Sequence, residues 1–182
     1  MQKSELRKLY KQKRKELTKE EIEKFQQSIY KQVFDLDFSS IENIHIFLSI
    51  KRLIEIDTYP IIEFLRKLNK KIIVSKSDFS TNTLQHFLLD VNTQIKINSW
   101  GIPEPVNAIE VDVKEIDMVF VPLLISDDQN YRVGYGKGFY DRFLNECRKD
   151  VKTIGLSFFE PIKLIEDINE FDVSLERVIF PK

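Results

Sequence analysis

A chain of 182 residues that is 42% hydrophobic and 31% charged, with only five glycines and no low-complexity tract, reads as one compact domain over residues 1–182. No apolar run approaches the roughly 20 residues of a membrane helix, and the N-terminus lacks the apolar stretch of a secretory signal, so a water-soluble, intracellular protein is expected. The single Cys147 excludes an intrachain disulfide framework; with His45 and His86 as the only histidines there is no sequence-local zinc cluster, and any metal is expected on oxygen ligands.

The net charge of −1 conceals an asymmetry. Residues 1–15 carry Lys3, Arg7, Lys8, Lys11, Lys13, Arg14 and Lys15 against Glu5 alone. Such a basic helix can meet nucleic acid, a membrane surface or a phosphorylated small molecule, or can be a solvated face. Leu6, Leu9, Tyr10 and Leu17 give it an apolar stripe, while Lys3 and Arg7, four apart, project together and can clamp one anion. Thr18 and Glu21 form a capping-box pattern, and Ile22, Phe25, Ile29 and Val33 supply a second stripe. The chain is expected to open with a helical hairpin.

Residues 44–49 form a nearly continuous apolar run, as in a strand buried on both faces of an α/β sheet, which makes His45 a packed core residue rather than a ligand. Thr58 is placed as an N-cap with Pro60 in the first turn, Ile61, Ile62, Leu65 and Leu68 mark a helix, and residues 72–74 a strand. Residues 44–75 thus predict a strand–helix–strand unit. Between Ser77 and Asp112 one strand is indicated at 83–89, and the prolines flanking Glu104 exclude helix there. Trp100, the only tryptophan, is either a lid on the core or a stacking surface for a planar ligand. Strands follow at 117–124, 153–157 and 178–180, and the first of them points its carboxyl end at a glycine-rich stretch.

That stretch, residues 131–144, holds Gly134, Gly136 and Gly138 within one pentapeptide. Alternating glycines suit positive φ or close approach of a ligand, successive N–H groups can form an anion nest, and Arg132 and Lys137 add positive charge. Tyr140, Phe143, Leu144 and Cys147 begin a helix at once, whose positive end faces the same anion. Gly138 stands where a Walker A loop needs Ser or Thr, and the glycine spacing is not that of a dinucleotide fingerprint. A tight glycine turn between strand and helix is the plainer alternative.

Lys3-Ser4-Glu5-Leu6-Arg7, Glu55-Ile56-Asp57-Thr58, the Trp100 to Pro105 segment and the Arg132 to Asp141 stretch, with Val121-Pro122, Ile154-Gly155-Leu156 and Asp172 in the same order, give the chain a nearly end-to-end resemblance to the 5-formyltetrahydrofolate cyclo-ligase family. The resemblance implies a three-layer α/β/α sandwich of the ribose-5-phosphate isomerase and CoA transferase type, and ATP- and Mg2+-dependent closure of 5-formyltetrahydrofolate to 5,10-methenyltetrahydrofolate. It puts Lys3, Arg7, Arg132, Gly134, Gly136, Lys137, Gly138, Phe139 and Tyr140 on ATP, with Arg132, Lys137 and Tyr140 at the reacting centre. Asp141 and Asp172 would hold magnesium, and Phe47, Leu48, Glu55, Trp100 and Tyr135 would meet the folate. Small-molecule substrates alone, a monomer, and a cytoplasmic location without nucleic acid or membrane are implied. Phe139 replaces a tyrosine usual in relatives, Asn130 a glycine, and Glu176 an aspartate. Two rival readings stay open on the sequence: a sugar-phosphate isomerase on the same fold, with Glu55 moving protons, and a nucleic-acid module using the basic helix.

Overall fold

The computed structural model describes residues 1–182. In chain order the elements are α1 (Lys3–Glu16), α2 (Lys19–Phe34), β1 (Asn43–His45), α3 (Tyr59–Lys67), β2 (Lys71–Asp78), β3 (Thr83–Leu88), β4 (Gln94–Ile97), β5 (Pro103–Val106), β6 (Met118–Pro122), β7 (Ile125–Ser126), β8 (Arg132–Val133), α4 (Phe139–Glu146), β9 (Lys152–Leu156) and β10 (Arg177–Ile179). Six strands form one sheet in the order β10-β9-β6-β1-β2-β3, parallel throughout except for the antiparallel edge strand β3. The period-2 rule sorts its side chains. Ile72, Val74, Met118 and Phe120 face a core shared with α2 and α3, whereas Ile73, Val119 and Val121 face one shared with α4. Helices therefore cover both faces of the sheet, which is why its central strands read as unbroken apolar runs.

Local choices in the sequence explain the elements. Thr18 accepts from the Glu21 amide while the Glu21 carboxylate accepts from Thr18, so the expected capping box starts α2. Ile61, Ile62 and Leu65 are fully buried from α3, each stabilising by about 1.5–3 kcal/mol. No helix is long and apolar enough to cross a membrane.

Several expectations need correction. The first two helices follow one another directly, but they do not pack together as a hairpin. Leu6 and Tyr10 of α1 bury against Leu124, Ile125 and Val133 around the small β7–β8 ribbon, while Ile29, Tyr30 and Val33 of α2 join the main core. Leu9 is exposed, and the stripe of α1 is completed instead by Arg14. The strand expected over 44–49 is paired only through His45, because the chain turns out of the ladder toward a cleft. Phe47 and Leu48 remain buried; Thr58 does stand at the N-cap of α3 as expected, but its hydroxyl donates to the Phe47 carbonyl at 2.6 Å instead of making a cap hydrogen bond. The strand at 83–89 is present and pairs with β2. Beyond it, Pro103 and Pro105 sit in the unforeseen two-stranded β4–β5 ribbon, opposite Ile97 and Ile95.

Candidate active site

Strand order reverses between β1 and β6: from β1 the chain moves to β2 on one side, and from β6 to β9 on the other. The carboxyl ends of strands at such a switch point diverge and leave a crevice. A cleft of about 580 Å³ opens there, lined by Phe47 and Leu48 beyond β1, Pro122 at the end of β6, and Ser75 and Ser77 of β2. Every residue expected at the site lines this one cleft, from Lys3 and Arg7 of α1 to Asp172 in the segment after β9.

One wall is cationic. Lys3, Arg7 and Lys11 recur every fourth residue along α1, so all three reach the cleft. Arg7 Nε donates to the Gly134 carbonyl at 2.9 Å, fastening the helix to the glycine loop. Gly136 has φ +94°, and its Cα passes so close to Arg7 that a Cβ would stand 3.0 Å from Cζ. Gly138, at φ +71°, is the N-cap of α4. Positive φ at both sites makes glycine the residue of lowest strain. Gly134 has neither constraint and borders open space. Lys137 is exposed at the tip of the loop, and Asn130 takes φ +62° in the turn before it, as its replacement of glycine requires.

Arg132 is buried and braced. Its Nη2 pairs with Asp141 Oδ1 at 2.8 Å and its Nη1 donates to the Val173 carbonyl at 2.5 Å, while the Val173 amide donates to the same Asp141 oxygen at 3.3 Å. Lys3 forms an ion pair with Asp172, whose Oδ2 also accepts from the Asn169 amide at 2.7 Å. Asp141 Oδ2 and Asp172 Oδ1 make no hydrogen bond within the protein. No three His, Cys, Asp or Glu side chains gather as a self-sufficient metal cluster.

The same cleft also carries aromatic rings and one further carboxylate, Glu55. Glu55 is partly buried, its Oε2 accepting from the Ile50 amide at 2.8 Å. Burial pushes its carboxyl above the ordinary range, against the opposing pull of that amide, Arg14, Tyr135 and Arg52. Burial and then the Glu55 charge push the Tyr135 and Tyr140 hydroxyls above their usual range. Both phenols therefore stay protonated donors. Trp100 is 60% exposed, so it is no lid on the core; its ring lies 5.2 Å from that of Phe79 at 31°, and Phe79 meets Phe139 edge-on at 5.3 Å. Arg52 ties the Trp100 carbonyl at 2.6 Å and packs over Gly101. Phe79, Arg52 and Lys11 line the cleft without having been singled out from the sequence. Lys11 was legible in its four-residue spacing from Arg7. Phe79 lies in a turn with no motif to mark it. His45, expected in the core, is buried and shares the Ser75 hydroxyl with His86 through Nε2 at 2.7 Å.

The chain as a whole is similar to known proteins. A family model described as the 5-formyltetrahydrofolate cyclo-ligase family matches residues 1–181. The 5-formyltetrahydrofolate cyclo-ligase of Mus musculus is 30% identical over 157 residues, spanning 79% of this chain and 75% of that protein. The Escherichia coli K12 protein of the same name is 29% identical over 136 residues, or 70% of this chain and 72% of its own. Among solved structures, the 5,10-methenyltetrahydrofolate synthetase of Mycoplasma pneumoniae superposes with a TM-score of 0.78 at 26% identity, covering 100% of both chains. That of Aquifex aeolicus gives 0.83 at 26% identity, over 98% of this chain and 89% of its own. The chain therefore belongs to the 5-formyltetrahydrofolate cyclo-ligase family, ATP-dependent ligases of folate one-carbon metabolism, and is an enzyme of that activity.

Proposed function

We propose that this cleft holds ATP against its cationic wall and 5-formyltetrahydrofolate against its aromatic end, and joins them at Tyr140 and Arg132. The observation that carries this reading is the convergence on one cavity of Lys3, Arg7, Lys137 and the glycine loop with Glu55, Trp100, Phe47, Leu48 and Tyr135. The polyphosphate lies along the N–H groups of residues 134–140 at the positive end of α4, with Lys3, Arg7 and Lys137 neutralising its charge. The pterin ring stacks near Trp100, and its N–H donors face the Glu55 carboxylate.

Magnesium fits the two carboxylates at the cleft. Mg2+ commonly takes one or two carboxylates and completes its shell with phosphate oxygens and water, so a three-residue cage is not required. Asp141 Oδ2 and Asp172 Oδ1 are the oxygens left open for it. When bound, the ion supplies positive charge to the phosphate oxygens.

The chemistry follows from a poor leaving group. The formyl oxygen attacks the γ-phosphorus of ATP, the bond to ADP breaks, and the formyl carbon becomes the electrophilic centre of an imidate phosphate. N10 attacks that carbon; the carbon–oxygen bond breaks, and the N10 proton leaves with the phosphate as hydrogen phosphate. Phosphoryl transfer of this kind asks for positioning and charge neutralisation rather than a protein nucleophile. Arg132, held by Asp141 and Val173, is a fixed cation for the transferring group, and Lys137 is a mobile one. Helices on both faces of the sheet support a three-layer sandwich of the ribose-5-phosphate isomerase and CoA transferase type. We propose a single-domain monomer as the working unit, with every proposed substrate contact drawn from one chain.

Following the absorbance of the methenyl product, with ATP, Mg2+ and 5-formyltetrahydrofolate supplied, tests the assignment. Product formation that needs both ATP and Mg2+ is expected; turnover without ATP would overturn it. A sugar-phosphate isomerase on the same fold predicts no ATP dependence at all.

A further inference from the structure

Both carboxylates read above as magnesium ligands are already held, each by a cation read above as a phosphate partner. Asp141 Oδ1 pairs with Arg132 and Asp172 Oδ2 with Lys3, so the cleft answers its own charges before any ligand enters. The two pairs differ in how firmly the cation is tied. Arg132 is buried and its other terminal nitrogen is fixed by the Val173 carbonyl, so the guanidinium stays in place. Lys3 carries a three-donor ammonium on a flexible stem, and Asp172 is the sole partner of its Nζ. Each member of this second pair is also anchored independently of the other. The Lys3 amide donates to Asp167 at 2.6 Å, and Asp172 Oδ2 accepts from the Asn169 amide at 2.7 Å, so the ammonium can turn away while helix and carboxylate keep their positions. Their side chains are only 15% and 16% exposed, which makes it costly for either charge to lose its partner without gaining another.

We propose that Lys3 and Asp172 stand in for each other's ligands, and that the cleft takes nucleotide and metal as one unit by exchanging this ion pair: Lys3 passes to a phosphate and Asp172 to the magnesium ion. The inference rests on the reading above and deepens it, making the metal–nucleotide complex, rather than either free component, the form that the site recognises. Charge gives the reason. Free ATP that draws Lys3 away leaves Asp172 bare beside phosphate oxygens, and like charges repel. A magnesium ion alone meets a carboxylate already shared with an ammonium, which sets two cations on one anion. The complex supplies both countercharges at once, so neither partly buried group is left alone. Such coupling is reciprocal: metal and nucleotide each raise the other's affinity here by the same factor. Arg132 and Asp141 need no exchange, because Asp141 Oδ2 is open while Oδ1 remains on the arginine.

Isothermal titration calorimetry without folate, so that no turnover intervenes, compares ATP in EDTA with ATP in excess Mg2+. In Asp172→Asn the two affinities should move in opposite directions: free ATP about tenfold tighter, because Lys3 is released, and MgATP about tenfold weaker, because one metal contact is lost. Damage to the fold would weaken both. A carboxylate that restrains Lys3 without ever meeting metal would, once removed, tighten both; either result overturns the proposal. In Lys3→Met, MgATP should bind about tenfold more weakly, the loss of one charge-assisted contact to phosphate. An unchanged or tighter MgATP affinity there means that Lys3 never leaves Asp172, and is equally fatal. If Lys3→Met does not fold, Asp172→Asn decides alone, since asparagine keeps the size of the side chain and an oxygen for the Asn169 amide. A wild-type protein that binds no MgATP removes the phosphate wall itself, whereas sound wild-type binding with both affinities shifted the same way in Asp172→Asn removes the exchange alone.

Discussion

Single side chains at this site divide into those held by the fold and those held by nothing. Lys137 is exposed and makes no ion pair, so Lys137→Ala should cut turnover by roughly 10²–10³-fold, the scale of losing one charge that stabilises a transition state, while the melting temperature stays put. Arg132→Ala should cut turnover and also lower the melting temperature, because Asp141 and the Val173 carbonyl lose their buried partner; circular-dichroism melts beside product assays separate the cases. Asp141→Ala should raise the Mg2+ concentration needed for half-maximal rate, and an unaltered magnesium titration would remove it as a ligand. The two histidines make a pH prediction. Burial holds His45 well below its ordinary pKa of 6.5 and His86 down at about 4, so both rings are neutral in the folded protein. The unfolded chain then binds more protons from pH 6.5 down to about 4, and stability present above that window is lost as pH falls through it. Asparagine can mimic the Nδ1 that His86 turns to Ser75, so His86→Asn should show a shallower fall in melting temperature between pH 7 and about 4.5; equal slopes would sink the idea.

At the scale of elements, what the sequence displayed was periodicity, and what it hid was partnership. The buried central strands, α2 with its capping box and α3 were legible because each carries its own local signal, and cleft residues such as Lys3, Glu55 and Arg132, though not Phe79 or Arg52, because they lie in motifs that resemble those of a known family. The β4–β5 ribbon was not legible, since Pro103 and Pro105 argue against a strand and are tolerated only because that ribbon stands apart from the main sheet. Nor could composition distinguish Arg14 from Lys13 and Lys15 beside it; which of three adjacent cations goes inward is decided by where α1 lands on β7 and β8. Gly155 shows the same dependence. In isolation it is an unfavourable residue in β9, yet a Cβ there would stand 2.5 Å from Leu123 Cδ2 and 2.7 Å from Leu175 Cδ1. Gly155→Ala should therefore cost about 1–3 kcal/mol of stability, read as a lower denaturant midpoint, in spite of alanine's better strand propensity.

For the whole molecule, ligands should act as a clasp. In the proposed site ATP with Mg2+ would bridge α1, the glycine loop and the Asp172 segment, so it should raise the melting temperature by an amount that grows with the logarithm of its concentration, whereas ribose 5-phosphate should not. No shift with ATP would count against the polyphosphate wall as drawn here. The same geometry has a consequence for how the protein comes into being. Lys3 pairs with Asp172 and its amide donates to Asp167 at 2.6 Å, a closure across nearly the full length of the chain. Lys3, which the proposed site sets against phosphate, must therefore wait for its partners until residues 167–172 have been made. Chains truncated before residue 167 should retain no ATP in a pull-down, and competence should arrive abruptly once Asp172 is included rather than growing with length.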